Sequence, residues 1–322
     1  MPVLDHRTDW DHYWRGLAAS GGQPPQSGVS DPALARFWAQ QIAATPSTSS
    51  ATPVWADICC GDDSPLLQHA APPSLKPDLV LIDYSGFALK KLKHNQLHAH
   101  CVQASAHQLP LPENSCDLII SQFGIEYAGK DTLPLVAMAL KPSGKLVALM
   151  HKADGLIYQE SQQSLAAILA LLQGSCLRQA RKAFEYGFKS LSGGNRALVK
   201  KANKTMAPAI EELKSILAKQ GPHAAGGLLQ QVARDMAYMF QRIPNYDPAS
   251  IFNWFDGLKL ELKSFAGRNR SMMTAALDEQ DLTLLDDLLP GDFSYSFEPF
   301  LFTEHNEAAA WQVEIERTTD RA

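Results

Sequence analysis

Five short apolar runs, spaced by amphipathic stretches, dominate the first half of the chain. Val54–Ile58 (VWADI), Asp78–Ile82 (DLVLI), His100–Gln103, Cys116–Ser121 and Lys145–Met150 (KLVALM) each read as a strand. Their near-continuous apolar character is that of strands covered on both faces. Between the second and third runs, residues 84–97 read as a helix, with Phe87, Leu89, Leu92 and Leu97 apolar and Lys90, Lys91 and Lys93 interleaved. A further helix precedes Lys141-Pro-Ser-Gly144. Strands alternating with helices predict a parallel sheet with helices on both faces. After His151 the alternation stops. Residues 155–250 read as helix, with breaks near Gly193-Gly194, Pro208, Gly221-Pro222 and Gly226-Gly227. The C-terminal part reads as a β-hairpin, Ser294–Thr303 and Ala309–Glu316, around Glu304-His-Asn-Glu307.

The N-terminal pattern differs. Trp10, Tyr13, Trp14 and Leu17 follow the i, i+3, i+4, i+7 spacing of an amphipathic helix. A Gly/Pro/Ser stretch, a helical segment around Leu34–Ile42 and the polar linker 44–53 follow. The expected organisation is a helical arm or lid over 1–43, an α/β core from 54–151 and 251–322, and a helical cap inserted over 152–250.

Length and composition fit a globular chain of two domains, or of one large domain carrying an insertion, with 322 residues, 45% of them hydrophobic and 20% charged. The formal net charge of -5 gives no overall attraction to nucleic acid or an anionic membrane. That figure hides two opposed segments. Arg178, Arg181, Lys182, Lys189, Arg196, Lys200, Lys201, Lys204, Lys214 and Lys219 make the first two-thirds of the helical stretch basic. Asp278, Glu279, Asp281, Asp286, Asp287 and Asp292 make the following segment acidic. The basic run reads either as an attractor for an anionic substrate or as solvated helix faces; methylation of RNA ranks below a small-molecule acceptor.

The longest apolar stretch, Leu165–Leu172, falls far short of the roughly 20 residues that span a bilayer. The first ten residues lack a secretory pattern. Cys59, Cys60, Cys101, Cys116 and Cys176 show neither disulfide-scaffold nor zinc spacing, and His94, His98, His100 and His107 show no metal-ligand pattern. A cytoplasmic setting and no metal are expected.

In an open parallel sheet, ligands bind beyond the carboxyl ends of the strands. The first strand ends in Asp57-Ile-Cys-Cys-Gly61, where Gly61 permits a tight turn ahead of a helix start at Ser64-Pro65. The second ends at Asp83, an acid placed to accept hydrogen bonds from ribose hydroxyls. Glycine turn and acid about 20 residues apart point to a nucleoside-containing cofactor.

These segments resemble the class I S-adenosylmethionine-dependent methyltransferases. Asp57–Gly61 resembles their first motif, Leu81-Ile-Asp-Tyr-Ser85 the end of their second strand, and Val102–Leu111 the adenine-holding segment. Asn114–Tyr127 resembles their fourth strand with its substrate-facing end, and Leu140–Leu146 the turn into their fifth. The resemblance covers 54–151 and the terminal hairpin, not 155–250. It implies a doubly wound, mostly parallel seven-stranded sheet with S-adenosyl-L-methionine held by Asp57, Cys59, Gly61, Asp83, Tyr84, Ser105, Ala106 and Gln122. The chain departs from the family pattern at Cys59 and Asp63, where glycine is usual, and at Ser105, where an acid is usual.

His151 follows the fifth strand and is the candidate base, or a histidine that merely bonds backbone at the strand end. Glu126 and Tyr127 are candidates for orienting the acceptor, or for buried hydrogen bonding and core packing. Tyr13 and Trp14 read as aromatic cover for a sulfonium, or as an aromatic stripe packed on the core. Arg268 and Arg270 lie before a helix start expected at Ser271 and read as ligands for an acidic acceptor, or as a solvated loop. The expected activity is methyl transfer to a small organic, possibly anionic, acceptor. The alternative is a methyltransferase-like fold that has lost catalysis and binds a protein or RNA partner.

Overall fold

A computed structural model of the chain describes residues 31–45, 52–69, 71, 75–95, 99–191, 193–221 and 223–318. The helix read around Trp10, Tyr13, Trp14 and Leu17 lies outside these residues. The described chain divides into two compact units, 31–159 with 271–318, and 160–270.

The first unit is built on seven strands: β1 (Val54–Ile58), β2 (Asp78–Asp83), β3 (Ala99–Gln103), β4 (Cys116–Gln122), β5 (Leu140–His151), β6 (Phe293–Leu301) and β7 (Ala308–Arg317). They lie in the order β3-β2-β1-β4-β5-β7-β6. Strands β1 to β5 are parallel, and β7 runs antiparallel to both β5 and β6. The sheet is therefore mixed, as a hairpin at the end of a parallel set requires. The chain steps outward from β1 to β2 and β3, then returns to β4 on the other side. That reversal at β1 is the switch point where such sheets bind ligands.

Alternate side chains of the central strands serve different cores. Leu118 and Ile120 of β4 and Val147 and Leu149 of β5 join Leu34, Phe37, Trp38 and Ile42 of helix α1 (Pro32–Ala43). Ile119, Leu146, Ala148 and Met150 face the opposite layer. There they meet α4 (Thr132–Ala137) and the short α10 (Glu279–Thr283) and α11 (Leu285–Leu288). Helices α2 (Pro65–Gln68) and α3 (Gly86–Asn95) follow β1 and β2. Two covered faces explain why the strands carry almost no polar positions. Residues 32–43, read from the sequence as part of an arm, are here a core helix, with Trp38 and Ile42 fully buried.

The second unit is helical. Helix α5 (Leu156–Gln173) leads into it, α6 (Cys176–Leu191), α7 (Arg196–Gln220) and α8 (Leu228–Gln241) follow, and α9 (Pro248–Ala275) leads out. Its own core includes Phe184, Leu213, Met236, Phe255 and Leu262. Two expectations are corrected here. Pro208 does not interrupt α7, because the burial of Met206, Ala209 and Leu213 on either side offsets one lost backbone bond. No helix starts at Ser271, because α9 runs through it, anchored by buried Phe265, Ala266 and Met272. The unit boundaries fall at 159/160 and 270/271, inside continuous helices, rather than at 151/152 and 250/251. Among the described residues, no helix is long and apolar enough to cross a membrane.

Candidate active site

The carboxyl ends of β1 to β5 bring together every site residue read from residues 57 to 151. Cys59 and Gly61, at φ 61° and 63°, fold the chain back sharply after β1. Gly61 donates its N–H to Asp83 Oδ2 at 2.8 Å, and Ser85 donates its N–H to Asp83 Oδ1 at 2.7 Å. One carboxylate thus ties the turn after β1 to the turn after β2. Cys60 N bonds Ile82 O, and Ala104 N bonds Asp83 O, extending the same stitching to the end of β3. Tyr84 lies half-buried beside it, its carbonyl accepting from Gln103 Nε2. Ser105 caps the 3₁₀ turn Ala106–Gln108 by accepting the His107 N–H at 3.3 Å. Its oxygen therefore already serves the backbone, and Ala106 is buried beneath it.

Asp57 is fully enclosed. Its Oδ2 accepts a hydrogen bond from Ser64 Oγ at 2.5 Å, while Oδ1 is buried with no partner. Burial pushes this carboxyl up to about 8, the Ser64 bond opposes the rise, and the charges of Asp83 and Asp63 reinforce it. Among the described residues, no cation bears on it. Burial, with the charges of Asp83, Glu126 and Asp57, also pushes the Cys59 thiol up, which leaves it protonated and poorly nucleophilic. Asp63, one of the departures from the family pattern, is exposed and is held by the Gln68 side-chain amide at 2.5 Å.

Across the switch point, β4 ends against the β1 turn. Gly124 lies so close to it that an added Cβ would stand 2.3 Å from Cys59 Cβ. Glu126, in the 3₁₀ turn Ile125–Ala128, accepts two bonds on one oxygen. They come from the backbone N–H of His151 at 3.0 Å and from His151 Nδ1 at 2.5 Å. Both side chains are almost wholly buried, and Glu126 Oε2 has no partner. A carboxylate on Nδ1 assigns the ring proton to that nitrogen and leaves Nε2 with its lone pair. Among the described residues, Nε2 has no hydrogen-bond partner. Phe123 and Tyr127 flank the imidazole, with ring centroids 4.9 and 5.7 Å away. Gln122 is fixed by the Trp38 indole N–H, which donates to Oε1 at 2.5 Å.

The strand order, the reversal at β1 and the acid at the end of β2 coincide with a family match. Residues 56–148 fit the family model described as a methyltransferase domain. That stretch of the chain is similar to a methyltransferase domain. Several solved structures are similar. A protein of echinomycin biosynthesis, concerned with conversion of a disulfide bond into a thioacetal group, aligns at 16% identity. That match covers 97% of this chain and 93% of its own, with a TM-score of 0.44. A geranyl diphosphate C-methyltransferase from Streptomyces coelicolor A3(2) aligns at 14% identity over 48% of this chain and 67% of its own, with a TM-score of 0.34. An S-adenosylmethionine-dependent methyltransferase from Mesorhizobium loti aligns at 19% identity over 37% of this chain and 52% of its own, with a TM-score of 0.29. The chain thus spans about half of that relative's length. No curated protein matches the chain. With every score below 0.5, the assignment rests on the family match and the strand order.

The other residues singled out in the sequence lie in the second unit or outside the described residues. Tyr13 and Trp14 lie outside the described residues. Arg268 and Arg270 belong to the helical unit, on α9 rather than in a loop. Arg268 donates to Ser264 Oγ and lies over the Phe265 ring, whereas Arg270 is exposed. Conversely, sequence reasoning gave no functional weight to Ser64, Trp38 or Phe123. Ser64 had a signal, as the helix start before Pro65. Trp38 and Phe123 had none, because a contact across the sheet leaves no local pattern.

Proposed function

We propose that the methyltransferase domain binds S-adenosyl-L-methionine at the carboxyl edge of β1 to β4 and methylates a small organic acceptor that carries a proton on the attacked atom. The ligand suits the residues present. It brings an ammonium and a sulfonium, and the carboxyl ends of β1 and β4 hold Asp57 and Glu126, each with a buried oxygen that has no partner among the described residues. Asp57, Cys59 and Gly61 would line the turn, Asp83 and Tyr84 would take the ribose side, and Ser105, Ala106 and Gln122 would take the base side. When bound, the cofactor supplies an electrophilic methyl group on sulfur.

The His151–Glu126 pair carries the reading of the reaction. His151 Nε2 would take the proton from the acceptor and so free the lone pair of the attacked atom, to which the bound cofactor would supply its methyl group. Glu126 acts as a positioning residue, holding the ring by backbone and Nδ1 together and stabilising the imidazolium that forms. Phe123 and Tyr127 keep the ring from rotating and exclude water. Orientation supplies much of the remaining acceleration.

Calorimetry with S-adenosylmethionine and its demethylated product tests the first half of the proposal. Saturable binding is expected, lost in Asp83→Ala, whose absence unties the Gly61 and Ser85 turns. Failure of the intact protein to bind either compound would sink it. A panel of phenols, amines and acidic carbon compounds then tests the acceptor class, with turnover expected only where a proton must leave.

A further inference from the structure

The helical unit carries a charge arrangement that the methyltransferase reading leaves unexplained. Between Arg178 and Ile210 the sequence contains eight Lys or Arg side chains and one acid, Glu185. The fold sorts them. Arg181 is paired with Asp256 at 2.9 Å and its guanidinium stacks on Phe252, while Lys201 lies over the Tyr186 ring at 4.4 Å. The other six, Arg178, Lys182, Lys189, Arg196, Lys200 and Lys204, are exposed. Among the described residues, none of the six has a side-chain partner.

They form two rows. On α6, Arg178, Lys182 and Lys189 stand at i, i+4 and i+11, within about 40° of one stripe. On α7, Arg196, Lys200 and Lys204 stand at i, i+4 and i+8, spaced about 6 Å apart along the axis. The two helices share a core that includes Ala180, Ala183, Phe184, Met206 and Ala209, so the cations lie on faces that core does not use. At the hairpin tip, Gly193 and Gly194 have open space around them, and Asn195 caps the positive end of α7 next to Arg196.

We infer that the α6–α7 hairpin is a docking surface for a phosphodiester backbone, the repeating polyanion of a nucleic acid. Charge complementarity selects the class. Six unneutralised cations in regular rows match a regularly repeating anion and supply the phosphate contacts that dominate such binding. An anionic membrane fits less well, because the apolar faces of both helices are buried in the core and, among the described residues, Leu191 and Val199 are the large apolar side chains exposed near the tip. The overall charge of -5 conceals the surface, since the acids that outweigh it lie elsewhere in the sequence. The inference stands whether or not the other unit transfers a methyl group.

The test is fluorescence anisotropy on the full chain with a labelled 20-nucleotide single-stranded RNA and a DNA of the same sequence, from 50 to 200 mM salt. Salt-dependent binding is expected, with a log–log slope near -4 if all six cations engage at about -0.7 each. The triple variant Lys189→Glu, Arg196→Glu, Lys200→Glu should weaken it at least tenfold. Lys259→Glu with Lys263→Glu, exposed on α9, is the charge control and should change it less than threefold. Equal affinity for RNA and DNA assigns the contact to phosphates; preference for RNA adds its 2′-hydroxyls. No binding at 50 mM salt, equal weakening by both variants, or tighter binding to vesicles containing phosphatidylserine would overturn the inference.

Discussion

Asp57 shows how far one enclosed oxygen reaches. Its carboxyl is raised from 3.8 to about 8, chiefly by burial, so the folded state holds its proton more tightly than the unfolded chain does. The associated stability is complete below about pH 4 and is lost as pH rises toward 8. Asp57→Asn keeps the shape without the titration. Wild type and variant should therefore melt alike near pH 4, and the variant should become increasingly the more stable up to about pH 8, where the difference levels, as followed by circular dichroism. The pair beside it yields a kinetic expectation. His151→Asn should lower kcat by about 10²- to 10⁴-fold, the usual worth of a general base, with cofactor affinity nearly unchanged. Glu126→Gln should lower kcat less and leave KM for the cofactor alone. Both are read by steady-state kinetics alongside calorimetry. Asp83, Gly61 and His151 were visible in the sequence because each stands just after an apolar run. That Glu126 bonds His151 was not visible, because 25 residues and a whole helix separate them.

Elements meet where side chains are missing. Gly124 lets the end of β4 approach the β1 turn, and the atom an alanine would strike is Cys59 Cβ, which has no rotamer to escape into. Gly124→Ala should cost about 1–3 kcal/mol of stability, as overpacking does, and should weaken cofactor binding by parting the two turns. Gly187 in α6 is the contrast. Its added Cβ would meet only Ile243 Cδ1, the far end of a flexible side chain, and alanine favours the helix by roughly 1 kcal/mol. Gly187→Ala should be close to neutral in denaturant melts. All seven strands were legible, within a few residues; burial on two faces writes a strong apolar signal in β1, β4 and β5, while β3 and β6 are only partly buried. Residues 267–275 misled, since Gly267-Arg-Asn-Arg-Ser is poor in local helix formers. Burial of Phe265, Ala266 and Met272, with the Asn269 side chain bonded to the Phe265 carbonyl, carries α9 through.

At the scale of the molecule, each unit has its own apolar core, one around the sheet and one among the helices. Calorimetric unfolding should resolve two transitions, and the demethylated cofactor at 100 times its Kd should raise only one, by the equivalent of about 2.7 kcal/mol. A single transition that moves as a whole would contradict independent cores. The amino-acid sequence alone determined the alternation of strands and helices, the acid and glycine at the switch point, and the helical insertion. These depend on periodicity and on residues adjacent along the chain. Only the tertiary structure decided that α1 is core, that α9 runs unbroken, that Asp57 is sealed beside Ser64 and that Glu126 grips His151. It also sorted the basic stretch into neutralised and bare cations. Those outcomes depend on which distant surfaces exclude water from which charge, and no local pattern of residues encodes that.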